Sequence, residues 1–411
     1  MERILIAAAA PATIRLTTLP PLSLYVHVPW CLRKCPYCDF NSHELRPHTG
    51  ASDAGEVPVA AFVEAVLLDL ERDLPLIWGR PVHSIFFGGG TPSLLPAAAV
   101  AEIISGVRAR VRLLPDAEIT LEANPGTFEA ERFEGFRAAG VTRLSLGVQS
   151  FDDTSLQRIG RVHDGGAARS AAVHALETFA RVNLDLMYGL PGQSVDDAVR
   201  DIERALALGA EHLSVYHLTL EPNTLFAARP PEHLPDEDVA DEMAQALSQR
   251  LTQSGLQNYE VSAWARPGAE CQHNLNYWQF GDYLGIGPGA HAKISFPDRI
   301  LRQSRVRQPR DWLNALQTPP SAAPSARLLD SERHLLPKEL PFEFMLNALR
   351  LRAGVPTSLF AERAGVSSAM LARGIEEALA RGLIDPDPRV LRATPLGARF
   401  LNDLVSVFLP D

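Results

Sequence analysis

The sequence predicts an α/β fold: a partial (β/α)6, TIM-like barrel followed by a smaller C-terminal helical, winged-helix-like domain. Three observations carry this. Short β-branched runs alternate with helical stretches through residues 22–294, and glycine- and proline-rich motifs fall at the ends of those runs. A Pro/Ser/Ala-rich stretch, QTPPSAAPSA, then separates them from a remainder that reads as helices.

The strand candidates are LYVHV from Leu24, SIFFGGG from Ser84, EITLEAN from Glu118, RLSLGVQS from Arg143, VNLDLMYGL from Val182 and HLSVYHLTL from His212. Between them lie segments such as AAFVEAVLLDLERDL and DDAVRDIERALALGA, whose apolar residues recur at helical spacing. Strand and helix alternating in this way read as βα repeats with a parallel sheet, which right-handed crossovers would curl into a barrel. In such folds the chemistry sits at the C-terminal strand ends, where GGGTP, EANP, GVQSF and YGLPGQ fall.

The expected division is a variable N-terminal extension over 1–21, the barrel over 22–294, a linker over 295–330 and a helical unit over 331–411. PFEFMLNALRLRAG, SLFAERAG, MLARGIEEALARGLI and TPLGARFLNDLVSVFL supply the helices of that last unit, with VLRATPLG as a short wing. It carries acidic as well as basic residues and no basic recognition helix, so a structural or lid role is the better reading. The acidic run PEHLPDEDVADEM reads as a solvated helix start, with carboxylates at the positive end of the helix dipole.

With 39 Lys+Arg against 49 Asp+Glu, the net charge of −10 argues against a general nucleic-acid binder, tRNA included. No apolar run approaches the ~18 residues of a membrane-spanning helix. The start, MERILIAAAAPA, has a short apolar run but an acidic Glu2 where a leader would be positive, so nothing suggests export and the expected location is the cytoplasm.

Three of the four cysteines fall in YVHVPWCLRKCPYCDF, as Cys31, Cys35 and Cys38; Cys271 stands apart. A disulfide framework would spread its cysteines along the chain. Three thiolates on one tight loop can reach three corners of a cubane cluster, leaving one iron open to chelate an amine and a carboxylate. The alternative is zinc, with His27 or His43 as fourth ligand, but the second distant cysteine pair usual in zinc sites is absent from the sequence. GGGTP, Gly88 to Pro92, is either a tight strand-to-helix turn or a backbone that approaches a ligand closely.

This C-x3-C-x2-C spacing after a first strand, with Tyr37 before its third cysteine, resembles the radical SAM superfamily. The resemblance implies a [4Fe-4S] cluster on Cys31, Cys35 and Cys38, with S-adenosylmethionine at its open iron. It assigns Gly89, Gly90 and Thr91 to the amino end of the methionine moiety. Tyr25 would bind the carboxylate or line the cluster pocket, Glu122 would meet the ammonium and Gln149 the ribose hydroxyls. Arg161 would pair with the carboxylate, and Asp185 would accept from the ribose or organise Arg161. Each has a bland alternative as a cap, ion pair or core hydrogen bond.

Further motifs, among them FFGGGTPSLL, LDLMYGLPGQ and HNLNYWQFGDYLGIGPGAH, resemble the HemN/HemW group over nearly the whole chain after Leu22. That group holds oxygen-independent coproporphyrinogen III dehydrogenases and haem chaperones. Phe40 stands where the dehydrogenases have a fourth cysteine, only 30 residues precede Cys31, and HNLNYW (His273–Trp278) resembles the chaperones. All three favour the chaperone branch. It implies haem as cargo, apo-haemoprotein acceptors that include membrane proteins, a location peripheral to the membrane and a homodimer. His273 is the lead haem ligand, with Tyr277 and Trp278 as flat apolar surface; Cys271 and His291 are alternatives, and a capping His273 with a core Trp278 is the bland reading.

Overall fold

The computed structural model describes residues 13–45, 57–126, 132–317 and 328–410. Six strands lie side by side in sequence order and parallel: β1 (Leu22–Val28), β2 (Pro81–Gly89), β3 (Arg112–Ala123), β4 (Arg143–Gln149), β5 (Arg181–Tyr188) and β6 (His212–His217). β1 and β4 are buried along almost their whole length, as Val/Leu-rich strands covered on both faces must be. The crossovers include α1 (Val59–Ile77), α2 (Ala97–Arg110), α3 (Phe133–Ala139), α4 (Asp153–Arg158), α5 (Gly165–Thr178) and α6 (Val195–Ala207). Their starts are set by side chains: Asp152 and Asp164 cap α4 and α5, and Ser194 with Asp197 forms a capping box on α6. The acidic run opens α7 (Glu237–Gln253), where Asp236 accepts from Val239 N at 2.9 Å.

The sheet continues beyond these strands on both sides. β7 (Gln257–Asn258) and β8 (Ala263–Ala265) extend it past β6. After α8 (Gln272–Trp278), β9 (Asp282–Ile286) pairs parallel with β1, and β10 (His291–Ser295), β11 (Ile300–Arg305) and β12 (Leu329–His334) follow antiparallel. The result is a 12-stranded mixed sheet whose outer strands, β12 and β7, are not paired with each other.

The span expected as a linker therefore holds β11 and α9 (Pro309–Gln317), while the rest of its Pro/Ser/Ala-rich stretch lies outside the described residues. The cause is a buried ion cluster. Arg305 is fully buried and reaches Asp69 on α1 at 2.9 Å and also Asp73; Trp312 Nε1 donates to Asp69 at 2.9 Å. A second cluster ties β10 to β9, with Lys293 2.8 Å and Arg80 2.8 Å from Asp282.

The C-terminal unit is helical, as expected, with α10 (Leu340–Ala348), α11 (Ser358–Ala364), α12 (Ala372–Ala380) and a two-stranded wing of Val355–Pro356 and Val390–Leu391. Its core of Phe344, Phe360, Leu371 and Phe408 also takes in Phe280, Ile14 and Leu16. The last two fall in the span expected as a variable N-terminal extension: Leu16 N donates to Pro297 O at 2.9 Å and Arg15 N to Gly365 O at 2.7 Å, while residues 1–12 lie outside the described residues.

Candidate functional site

Beyond β1 the chain makes a short strand, Trp30–Cys31, which pairs with His43–Glu44 and closes the cysteine loop on itself. Cys31, Cys35 and Cys38 face one cavity of about 330 Å³ at the C-terminal ends of the strands. Each sulfur has a polar neighbour. Thr91 Oγ1 donates to Cys31 at 3.5 Å, Arg161 Nη1 donates to Cys35 at 3.4 Å, and Ser42 Oγ lies 3.7 Å from Cys38.

The glycines of GGGTP serve close packing. A Cβ on Gly89 (φ +113°) would lie 2.6 Å from the His27 ring, and one on Gly90 2.5 Å from Trp30 O. Gly89 N donates to Glu122 Oε2 at 3.2 Å, and Thr91 Oγ1 accepts from Asn124 at 3.0 Å. Arg161 is fixed by Asn124 Oδ1 and Gly147 O, both at 2.7 Å, and its buried Nε has no hydrogen-bond partner among the described residues. Gln149, in the left-handed region at φ 68°, accepts from the Tyr216 hydroxyl. Burial, with Asp185's charge second, pushes the Glu122 carboxyl up to about 8. Asp185 is likewise raised by burial, and accepts from Asn183 at 2.7 Å and Ser145 at 3.3 Å.

The structure thus brings Gly89, Gly90, Thr91, Glu122, Gln149, Arg161 and Asp185 to the cysteine cavity. Tyr25 and His273 are placed elsewhere: both line a second cavity of about 580 Å³, and Tyr25 donates to His27 Nδ1 at 3.0 Å. Phe40, Gly89 and Glu122 line both cavities, so the two adjoin. Asn124, Ser145 and Tyr216 were not singled out from the sequence; Asn124 sits in the same EANP strand end as Glu122, which is the signal that marks it.

In the second cavity Phe86, Tyr277, Trp278 and Tyr283 supply aromatic walls. His273 lies on α8, its Nδ1 2.9 Å from Ser84 Oγ. Ser84 donates its own proton to Ser23 at 2.8 Å, so it accepts from Nδ1–H. That tautomer leaves a lone pair on Nε2. Burial, then the nearby Arg143 charge, pushes His273 down to about 3, so the ring stays neutral. Cys271 is fully buried, donates its S–H to Glu118 at 3.4 Å, and burial pushes its thiol up to about 12, an environment unsuited to a thiolate ligand. His291 is exposed on the cavity rim.

Three unbridged thiols, hydrogen-bond donors aimed at their sulfurs, an orphaned guanidinium N–H and an open cavity beside them fit a cluster with a chelated ligand. A zinc ion is less well served. Both nitrogens of His27 are engaged, with Tyr25 and with Asn41 O at 2.8 Å, His43 Nε2 sits 3.2 Å from Asn41 Oδ1, and no single-ion ligand group forms among the described residues.

Residues 25–205 match the radical SAM superfamily, and residues 335–400 match the HemN C-terminal domain. The heme chaperone HemW of Escherichia coli is 47% identical over 96% of this chain and 99% of its own length. That of Haemophilus influenzae is 42% identical over 96% and 99%, and that of Mycobacterium tuberculosis 38% over 94% and 94%. Coproporphyrinogen III oxidase (HemN) from Escherichia coli superposes with a TM-score of 0.77 at 24% identity, over 95% of this chain and 90% of that one, and so shares the fold.

Proposed function

Because the chain belongs to the HemW heme-chaperone family of the radical SAM superfamily, we propose that it is a haem chaperone, binding haem in its aromatic cavity and passing it to apo-haemoproteins. The observation that carries the reading is His273: a buried neutral imidazole, its Nδ1–H held by Ser84, on the wall of a 580 Å³ cavity lined by aromatic faces. A porphyrin needs that combination of flat apolar surface and one nitrogen lone pair.

Cys31, Cys35 and Cys38 would hold a [4Fe-4S] cluster, which supplies an iron that chelates the amine and carboxylate of S-adenosylmethionine. The chain's own groups then do the holding. Glu122 accepts from the N–H groups of that amine once its carboxyl is ionised, Arg161 pairs with the carboxylate, and Gln149 and Asp185 receive the ribose hydroxyls. Gly89, Gly90 and Thr91 form the wall nearest the amino end, while Tyr25 stands behind that wall. Among the described residues no helix is long and apolar enough to cross a membrane. We place the chaperone in the cytoplasm, as a homodimer delivering to acceptors that include membrane haemoproteins.

The test is twofold. Haem titration of the anaerobically reconstituted protein yields a saturable Soret band. The same protein given coproporphyrinogen III, S-adenosylmethionine and a reductant yields no protoporphyrinogen. Conversion to protoporphyrinogen overturns the reading in favour of a dehydrogenase.

A further inference from the structure

A line of hydrogen bonds runs through the sheet interior from the cysteine cavity to the start of α8. Asn183 Nδ2 donates to Asp185 Oδ1 at 2.7 Å. Asn183 Oδ1 can only accept, so His212 Nδ1–H donates to it at 2.6 Å. Nε2 of the same ring is therefore unprotonated, and the Tyr259 hydroxyl donates to it at 2.9 Å. The Tyr259 oxygen accepts in turn from Cys271 N at 3.3 Å. Cys271 is the N-cap residue of α8, two positions before His273.

Every donor in this line points the same way, from the α8 cap toward the Asp185 carboxylate. Bonds in such a chain polarise one another, so the strength of each depends on the terminal acceptor. Ser145 and Ser214 brace it, donating to Asp185 and to Asn183 Oδ1. Asn183 and His212 are almost completely buried, so water does not short-circuit the middle of the line. The charges facing His212 are those of Arg143 and Arg181, which together with burial keep it neutral and able to serve as donor and acceptor at once. Asp185 lines the first cavity, and the line ends at the start of the helix whose His273 lines the second.

We propose that His212 and Tyr259 are positioning residues through which a ligand donating hydroxyls to Asp185 loosens the cap of α8 and weakens the grip of His273 on haem. This rests on the reading of the two cavities given above. A ligand hydroxyl on Asp185 competes with Asn183 for the same carboxylate, and every bond upstream weakens with it. S-adenosylmethionine in the first cavity then favours haem release from the second without the two ligands touching.

The experiment is haem titration of the cluster-loaded full chain, with and without saturating S-adenosylmethionine. The wild type shows haem Kd raised about fivefold or more by S-adenosylmethionine, and haem raises the S-adenosylmethionine Kd by the same factor, as linkage requires. Tyr259→Phe and His212→Leu, which cut adjacent links, still bind each ligand, but both ratios fall to near one. Thr252→Ala, an exposed position on α7 that lines neither cavity, keeps the wild-type ratio. A ratio of one in the wild type overturns the proposal, whatever the variants do. So does a wild-type ratio in either cut variant, which would assign the coupling to the aromatic contacts of Tyr25, Phe86 and His273 instead. A wild type that binds no haem, or no S-adenosylmethionine, removes the functional reading itself and the relay with it.

Discussion

The two adjoining cavities are built on opposite principles. The first is polar and local: three sulfurs from one eight-residue loop, ringed by carboxylates, amides and a guanidinium at successive strand ends. The second is aromatic and assembled from afar, with walls from β1, β2, α8, β9 and the β10 start. The first has the groups to hold a charged, flexible ligand by many directional bonds. The second has flat apolar area and one fixed lone pair, which suits a rigid planar ligand. They share only Phe40, Gly89 and Glu122, so each should fail by its own substitutions.

The largest separation comes from the cysteines. Cys31→Ser, Cys35→Ser or Cys38→Ser should abolish the iron–sulfide absorbance and S-adenosylmethionine uptake, measured by visible spectroscopy with iron and sulfide analysis, while haem still binds. Loss of haem binding in all three would merge the cavities into one site. The converse is His273→Ala, for which haem affinity falls about tenfold or more (~1.4 kcal/mol) and the Soret band moves, with cluster content unchanged. An unaltered Soret band and affinity would remove His273 as the ligand.

A stability test separates the frames of the two cavities. Asp69 receives Arg305, Trp312 Nε1 and Gly287 N, the last on the loop that leads to Gly289 and His291. Asp69→Ala leaves the Arg305 guanidinium without that buried partner, a loss of about 3–5 kcal/mol, read by denaturant unfolding, and it loosens the second cavity before the first. Stability within about 1 kcal/mol of wild type would mean that the cluster contributes little.

The smallest effect is in pH dependence, where the cavities should diverge. Glu122 is protonated below about 8, so accepting from the N–H groups of the chelated amine as a carboxylate expels its proton. Affinity for S-adenosylmethionine should rise with pH until about 8, by at most about tenfold per unit, and Glu122→Gln should flatten the slope. The same raised pKa means the folded state holds that proton more tightly, so Glu122 costs stability as pH rises from its ordinary value of 4.5 through about 8. His273 is neutral down to about 3, so haem affinity should stay level across mildly acidic pH. A haem titration that weakens with a midpoint near the ordinary 6.5 would contradict the burial of that ring.

The difference between the cavities also explains what the sequence made legible. Cys31, Cys35 and Cys38 are neighbours in the chain, and their partners fall at strand ends that hydrophobic patterning locates. The resemblance put Tyr25 at the carboxylate or in the cluster pocket, yet alternation along β1 turns its side chain to the second cavity. Of the second cavity's walls, a haem role is legible in the sequence only for His273, Tyr277, Trp278 and, as an alternative ligand, His291. Phe86 and Tyr283 sit inside quoted motifs without a role and Arg307 outside them, because these walls meet only in the folded sheet. β11 was hidden in the presumed linker for a related reason. Its Gln303, Ser304 and Arg305 are buried polar residues, so ILRQSR shows no strand alternation until Asp69 and Asp73 supply the partners. Ile14 and Leu16 were equally invisible, since two apolar residues in a short segment declare nothing until the C-terminal core receives them.

The central claim, two ligands in two adjoining cavities, is tested most directly by titrating haem into cluster-loaded protein already saturated with radiolabelled S-adenosylmethionine and counting both ligands per chain after gel filtration in excess S-adenosylmethionine. One haem and one S-adenosylmethionine retained together on each chain is the predicted result. Displacement of S-adenosylmethionine mole for mole by haem would contradict it.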